Sequence, residues 1–327
     1  MQRATNILKR LLLGPVILPQ KVDLGLLDPQ SEVEVWLDGL GTRIDVTHLH
    51  LMSCGAPLTI CIAIDGVQAG SEIFRRRLAL CFHEHGGRQQ LLGEIGLRFV
   101  SSFQVGTRQL CLFQVTGYRN HCLPLLRTWA HYLLYARAQS RNRDNDVPIT
   151  TRETRAMIVF YLCPRPVALV TVEDSQGRNM FPMNLMGPLG DGYFAFALNS
   201  HRAAAPLVER ARRVVLSSIP LKQSALVSRL GANHRRVSIE WDQLPFATVR
   251  PKTIDVPVAG FALKVREMHV EAVRPLGSHT LFVAKTIAEE SLGEGPQLFS
   301  AHGMYQAWRS QRSRKSESPV FGRVLED

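Results

Sequence analysis

The chain has 327 residues, about twice a common single domain, so two domains are the first expectation. Hydrophobic residues make up 45% and charged residues 20%, with Gly 24 and Pro 18, which excludes extensive disorder and collagen-like or low-complexity chains. No apolar run approaches the roughly 20 residues of a membrane-spanning helix, so no membrane association is expected. The net charge is +11, and Arg outnumbers Lys 32 to 7. That balance suits anionic ligands such as phosphates and dinucleotides. Aromatics are only 7% and no nucleic-acid motif is present, so nucleic acid is not expected as a partner.

Six cysteines, Cys54, Cys61, Cys81, Cys111, Cys122 and Cys163, form no C-x-x-C pair, and most sit inside apolar runs. Reduced, buried thiols and a cytoplasmic protein are expected. Arg3, Lys9 and Arg10 precede an apolar stretch at 11–18. Pro15 interrupts it and no small-residue cleavage site follows, so a secretory signal is not expected.

In chain order, residues 32–37 alternate with period two and predict a strand. Asp38-Gly39-Leu40-Gly41 reads as a turn and 42–51 as a second strand. Residues 58–64 are apolar and β-branched, and 78–83 and 109–115 look similar; Gly86-Gly87 and Gly106 mark loops. Over 122–138, Leu123, Leu125, Leu126, Trp129, Leu133 and Leu134 recur at helical spacing. The polar run 140–146 reads as a linker, and Thr151-Arg-Glu-Thr154 as a helix start. Further on, 167–172 predicts a buried strand and Asp174-Ser-Gln-Gly-Arg178 a hairpin turn. Strands follow at 193–198 and 213–218, separated by a helix at 203–211. A short helix spans 221–230 with Gly231 as its C-cap. Strands at 262–273 and 280–287 flank a connection at 274–279.

Strands with a few short helices, without regular βαβ alternation, predict a mainly β (α+β) fold built on a β-barrel with helical insertions. The expected division is a β-rich domain with one helix at 1–140, a linker at 141–150, a barrel at 151–295 and a partly mobile extension at 296–327. One internal echo stands out. Cys54-Gly-Ala-Pro57 and Cys163-Pro-Arg-Pro166 are each followed, after a strand of seven residues, by Asp65 and Asp174. A duplicated barrel is one reading, and chance likeness of two apolar strands is the other.

The second segment carries several motifs in order. They are Pro164-Arg-Pro166-Val-Ala-Leu-Val-Thr171, the hairpin 174–179, and Phe181-Pro182-Met183-Asn184-Leu185-Met186. Asn199-Ser200-His201-Arg202 then precedes a helix, 214–220 forms a strand, and Gly277-Ser278-His279-Thr280-Leu281-Phe282-Val283 closes the set. In order and spacing this resembles the flavin reductase-like family of FMN-binding split β-barrels, and the last piece is similar to the family's G-D-H-x-L-F-V signature. Residues 1–140 carry no such resemblance. The resemblance implies FMN as cofactor, with FAD as the alternative flavin, and NAD(P)H as a transient co-substrate. It implies cofactor contacts from Asn184, Leu185, Met186, Asn199, Ser200, His201, Arg202 and Ser278, and a catalytic His279. Two departures stand in this sequence: Ser278 replaces the family's usual Asp, and Asn184 replaces a common Ser.

Elementary chemistry agrees with part of that set. Ser200 and Arg202 precede a helix whose free N–H groups favour a phosphate, although a Ser cap beside a solvated Arg has the same appearance. Asn184 offers donor and acceptor groups to a flavin edge, or else serves a turn. His201 is either a ligand contact or an exposed loop residue. His279, with an intrinsic pKa near neutrality, can orient a nicotinamide or donate a proton, or can be a structural His bonded to backbone. His48, His50, His83, His85, His121 and His131, with Asp45 and Glu84, invite a metal reading. A zinc site needs three or four converging ligands, and no metal is expected. No G-x-S-x-G, P-loop or G-x-G-x-x-G occurs, so the reductant would bind over the flavin without a Rossmann domain of its own.

Three readings follow. The first is an NAD(P)H:flavin oxidoreductase, a homodimer as the family usually is, supplying a partner monooxygenase. The second is a non-catalytic flavin-binding accessory or carrier that docks through its N-terminal domain. In the third, residues 1–140 form a degenerate second barrel, the site lies between two halves of one chain, and the protein is a monomer.

Overall fold

The computed structural model describes residues 18–27, 32–53, 55–65, 77–86, 89–141, 149–313 and 322–323. Cys54, most of the expected linker and apolar stretch 11–18, and the tail at 314–318 lie outside them. Among the described residues no helix is long and apolar enough to cross a membrane.

The first half contains β1 (Val22–Leu26), β2 (Val33–Asp38), β3 (Ile44–Asp45), β4 (His50–Ser53), β5 (Thr59–Asp65), β6 (Leu78–Glu84), β7 (Leu91–Val105) and β8 (Arg108–Asn120). Two helices follow, α1 (Leu125–Arg141) and α2 (Thr151–Phe160). The second half begins with β9 (Arg165–Pro166), β10 (Ala168–Asp174), β11 (Gly177–Met183), β12 (Met186–Gly190) and β13 (Tyr193–Asn199). Then come α3 (Ala204–Ala211), β14 (Arg213–Ser218) and α4 (Ser224–Arg229), with the short β15 (Thr248–Val249) and β16 (Val258–Ala259). The long hairpin β17 (Lys264–Leu276) and β18 (His279–Ser291) completes the sheet. The chain ends in β19 (Gln297–Ala301), α5 (Gly303–Ser313) and β20 (Gly322–Arg323).

Two seven-stranded antiparallel sheets dominate, ordered β3-β2-β6-β7-β8-β5-β4 and β11-β10-β14-β17-β18-β13-β12. Each curls around its own core. In the first, Ile60, Ile62, Cys111 and Phe113 point inward. In the second, Phe196, Phe282 and Ala284 do so, and α3 plugs one end with Ala204, Ala205, Leu207 and Val208. The alternate residues of the same strands, Cys61, Ala63, Leu110, Leu112, Ala195, Leu281 and Val283, meet in a separate cluster between the halves. These strands are therefore buried on both faces. That explains why 58–64 reads as a continuous apolar run rather than as alternation.

Helix α2 starts at Thr151, as the reading of 151–154 as a helix start expects, and Thr150 and Glu153 form a capping box ahead of it. Its Ile158, Val159 and Phe160 enter the first half's core, together with Phe299, Met304, Tyr305 and Trp308 from β19 and α5. The C-terminal segment thus crosses back, with β19 pairing to both β1 and β9, and β20 to β1.

Several elements differ from their sequence expectations. The span 42–51 breaks into β3 and β4. The 15-residue β7 is interrupted in sequence by Gly93 and Gly96, which hide its pattern. Helix α1 forms, but Leu125, Leu126, Trp129 and Leu133 are exposed, while Thr128, His131, Tyr132 and Tyr135 are buried. On the buried face Tyr135 donates to the Leu18 carbonyl at 2.9 Å, and the Arg155 guanidinium lies over the Tyr132 ring. Gly231 caps nothing, because 3-10 helix continues over Leu230–Arg235. The Cys54/Cys163 echo equates β5 with β10, which occupy different places in their sheets, so it is a coincidence of strand pattern.

The halves are tied by Arg165, 3% exposed. Its Nη2 donates to the carbonyls of His50 (3.1 Å) and Met186 (2.9 Å), one from each half, and its Nη1 donates to His50 Nε2 at 3.1 Å. The guanidinium lies over the Phe160 ring. No carboxylate pairs with Arg165 among the described residues. His50 uses Nδ1 on the Val46 carbonyl, and burial, helped by Arg165, holds its pKa down to about 3. The imidazole is neutral and accepts from the guanidinium. A Cβ at position 187 would lie 2.6 Å from the His50 carbonyl oxygen, so β12 needs glycine there to approach β4. Replacing Arg165 by Met strands three buried acceptors, and an unpaired buried group costs roughly 1–3 kcal/mol. Chemical denaturation of Arg165→Met should show a loss of about 3 kcal/mol; a loss below about 0.5 kcal/mol, the range of an ordinary surface change, would remove the clamp role.

Candidate functional site

The end of β13 and the start of β18 are neighbours, with Asn199 opposite His279. This pairing joins 199–202 to 278–280 although they are far apart in sequence. The Asn199 side chain accepts from the His201 N–H at 2.9 Å, and its carbonyl accepts from the Arg202 N–H at 3.1 Å. Asn199 is buried and spends its groups on shaping the turn. Ser200 donates its N–H to the Ser278 carbonyl at 3.0 Å, and its hydroxyl lies 2.9 Å from that of Thr280. Ser200 does not cap α3, whose N-cap position is Ala203 without a side-chain cap. His201 is exposed and Arg202 half-buried beside it.

Ser278 is fixed from the other half of the molecule. Its Oγ accepts from the Ala56 N–H at 3.1 Å and lies 3.2 Å from His279 Nδ1. With the Ser278 hydroxyl as the donor to Nδ1, the neutral ring carries its proton on Nε2. Burial, helped by Arg202, lowers the His279 pKa to about 4. The residue is therefore a neutral hydrogen-bond donor at pH 7, not the near-neutral acid that its intrinsic pKa suggests.

One contributor was not visible in the sequence. His234, in the 3-10 turn Leu230–Arg235, packs its ring 4.5 Å from Phe181 and donates from Nε2 to the Pro182 carbonyl at 2.8 Å. Burial and then Arg202 lower its pKa, against the opposing effect of the Pro182 carbonyl. No motif marks it; it arrives on the long excursion between β14 and β17. Among the described residues, Arg202 is the charged side chain that acts on both His279 and His234. The field there favours an anion.

Asn184, Leu185 and Met186 sit apart from this cluster by hydrogen bonding. The Leu185 carbonyl is taken by the Ala197 N–H, the Met186 carbonyl by Arg165, and the Met186 side chain is buried in the barrel. Asn184 is half-buried, with no hydrogen-bond partner among the described residues. The histidines considered for metal go elsewhere: His50 to Arg165, His83 to Arg43 at 2.7 Å, and His85 to Glu34 at 2.5 Å. Among the described residues no three metal-ligating side chains converge.

A cleft of about 1160 Å³ opens at the opposite strand ends of the second barrel, where Ala168, Met186, Phe194 and Arg266 face His48 of the first half. It does not include the 199–202 and 278–280 cluster.

Because His279 is harder to protonate in the fold than in the unfolded chain, its contribution to stability is complete above pH 6.5 and declines as pH falls towards 4. By NMR, His279 should titrate with a midpoint of about 4, and Arg202→Gln should move that midpoint upward. An unchanged midpoint in the variant would separate Arg202 from the site.

Comparison with known proteins bears on this geometry. A family model described as flavin reductase like domain matches residues 160–309. No curated protein matches the chain. Among solved structures, the chain is similar to an FMN-binding protein from Thermus thermophilus with bound p-hydroxybenzaldehyde, at 28% identity over 39% of this chain and 72% of that one, TM-score 0.35. It is similar to the NADH:FAD oxidoreductase of Streptomyces globisporus C-1027, at 13% identity over 56% and 99% of the two chains, TM-score 0.42. It is also similar to the styrene monooxygenase flavin reductase of Pseudomonas putida S12, at 17% identity over 52% and 97%, TM-score 0.37. The family match runs from β9 to β19 with the cluster inside it, so over residues 160–309 this chain is similar to a flavin reductase like domain.

Proposed function

We propose that this domain binds FMN, with FAD as the other flavin it admits, and passes a hydride from NAD(P)H to it for use by a partner monooxygenase. One observation carries the reading: within the span that matches a flavin reductase like domain, the bonded hydroxyls of Ser200 and Thr280 adjoin a neutral His279, and Arg202 is the charged side chain that acts on it among the described residues. The donor set fits a flavin phosphate. Of the two bonded hydroxyls one keeps a proton to donate, an exposed imidazole follows Ser200 in sequence, and a guanidinium supplies charge-assisted hydrogen bonds. The uncapped start of α3 adds a favourable field in the same place.

The flavin, when bound, supplies the hydride-accepting chemistry, and the chain supplies placement and electrostatics. Ser200 and Arg202 would hold the phosphate end. His279 would present Nε2–H to an acceptor on the ligand, held in that tautomer by the Ser278 hydroxyl. Hydride transfer itself requires no protein base, so His279 acts by orientation and loss of it should slow turnover more than it weakens binding. Asn184 would contribute its free amide along the flavin edge.

The accessory or carrier reading keeps one supporting observation. Helix α1 exposes Leu125, Leu126, Trp129 and Leu133, an apolar face of the kind that docks a partner.

The test is the visible spectrum of the protein with FMN, followed anaerobically after addition of NADH or NADPH. Catalytic bleaching of the flavin band is expected. Flavin that binds but stays oxidised would favour the accessory reading, and no binding would remove both. Arg202→Gln should weaken FMN binding roughly 10- to 100-fold, since hydrogen bonds to charged groups contribute about 1.5–3 kcal/mol. His279→Gln should lower kcat with little change in FMN affinity.

A further inference from the structure

The two sheets share more than size. Read in chain order, β2, β3, β4, β5, β6, β7 and β8 occupy the same places as β10, β11, β12, β13, β14, β17 and β18. The long hairpins agree residue by residue. Val105 pairs with Arg108 across Gly106-Thr107, and Leu276 pairs with His279 across Gly277-Ser278. Both turn glycines have left-handed backbone, with φ of 56° and 60°. The sequences Val105-Gly-Thr-Arg-Gln-Leu110 and Leu276-Gly-Ser-His-Thr-Leu281 follow one pattern.

The packing between the halves is reciprocal. Strand β4 meets β12, its own counterpart, and each also meets the strand that follows the other. The cluster between the halves joins counterparts: Val105 and Leu276, Leu110 and Leu281, Leu112 and Val283. The turn of the second half docks on the β4–β5 connection of the first. There Gly277 lies so close to Ala56 that a Cβ would come within 2.1 Å of its carbonyl oxygen, and Ser278 takes the Ala56 N–H. The turn of the first half docks on the β12–β13 connection of the second. Here Gly106 lies against the Tyr193 ring, and Thr107 and Arg108 reach the Asp191 carboxylate at 3.0 and 3.4 Å. These relations are those of a two-fold axis within one chain.

We propose that the first half is a second, diverged copy of the barrel that acts as a built-in partner subunit. It completes the flavin site through the Ala56–Ser278 contact, while its own equivalent station is closed, so that the chain works as a monomer with one flavin. The station is closed because Arg108 stands in the place of His279, and its charge is already met by Asp191. Among the described residues of that turn, Arg108 and Thr107 both spend their donors on the Asp191 carboxylate. The one-flavin part rests on the function proposed above; the pairing of the halves does not.

The test is a double-cysteine variant, Thr107→Cys with Asp191→Cys, treated with a short bismaleimide and mapped by peptide mass analysis, with FMN titrated separately into the unaltered chain, whose Asp191 still meets Arg108. Cross-linking within single chains and binding of one FMN per chain are expected. Cross-linked pairs of chains, or no 107–191 link in folded protein, would overturn the pairing. Two FMN per chain would overturn the closed station. No FMN binding would overturn the function proposed above, and the cross-link would still decide the pairing. On the unaltered chain, FMN affinity should stay constant from micromolar to nanomolar protein. A tenfold or greater weakening on dilution would mean that the site is completed by another chain, and would overturn the proposal.

Discussion

A buried guanidinium without a carboxylate needs its hydrogen bonds supplied by oxygens and nitrogens that cannot drift. Arg165 meets that demand with two carbonyls and a neutral imidazole, taken from both halves of the molecule. The strands that offer those carbonyls, β4 and β12, are thereby held against each other at the closest approach that Gly187 permits. Everything beside them inherits this spacing. Strands β5, β8, β13 and β18 must be apolar on both faces, one for the barrel interior and one for the opposing sheet. The loop at 55–57 is carried to the turn at 277–279 by the same contact surface.

The chemistry of the site follows from that placement. A neutral histidine beside a cation is an arrangement that burial enforces, because a second positive charge next to Arg202 in a poorly solvated pocket is disfavoured twice. The serine at position 278 suits it. A hydroxyl can take the Ala56 N–H and still give a proton to His279, whereas a carboxylate has no proton to give and would draw one onto Nδ1. The replacement of the signature's acidic residue is therefore consistent with a site that receives its negative charge from a ligand.

The sequence made the second barrel readable because its motifs coincide with places where the backbone has little choice. These are the Asp174 hairpin, the 199–202 turn ahead of α3, and the left-handed Gly277. What stayed hidden depends on partners distant in sequence. The exposed leucines of α1 show ideal helical spacing, and only the presence of Leu18 and Arg155 beside the tyrosines decides which face is buried. His234 belongs to the site because an irregular excursion delivers it to Pro182. The proposed repetition of the barrel leaves little identity between its copies, since a β-strand constrains pattern far more than identity. The Cys54 and Cys163 echo was a likeness of strands in unlike positions, whereas the true counterparts preserve a turn and its flanking apolar residues.

A symmetric pair of identical chains must accept every substitution twice, once on each side of its axis. Here the two sides are encoded separately. Position 108 can hold an arginine satisfied by Asp191 while its counterpart 279 holds a histidine bonded to Ser278, and neither change is imposed on the other. Joining the copies removes the arithmetic of doubling. One surface becomes free to specialise in support while the other keeps its chemistry, which is a latitude that no homodimer of this barrel possesses.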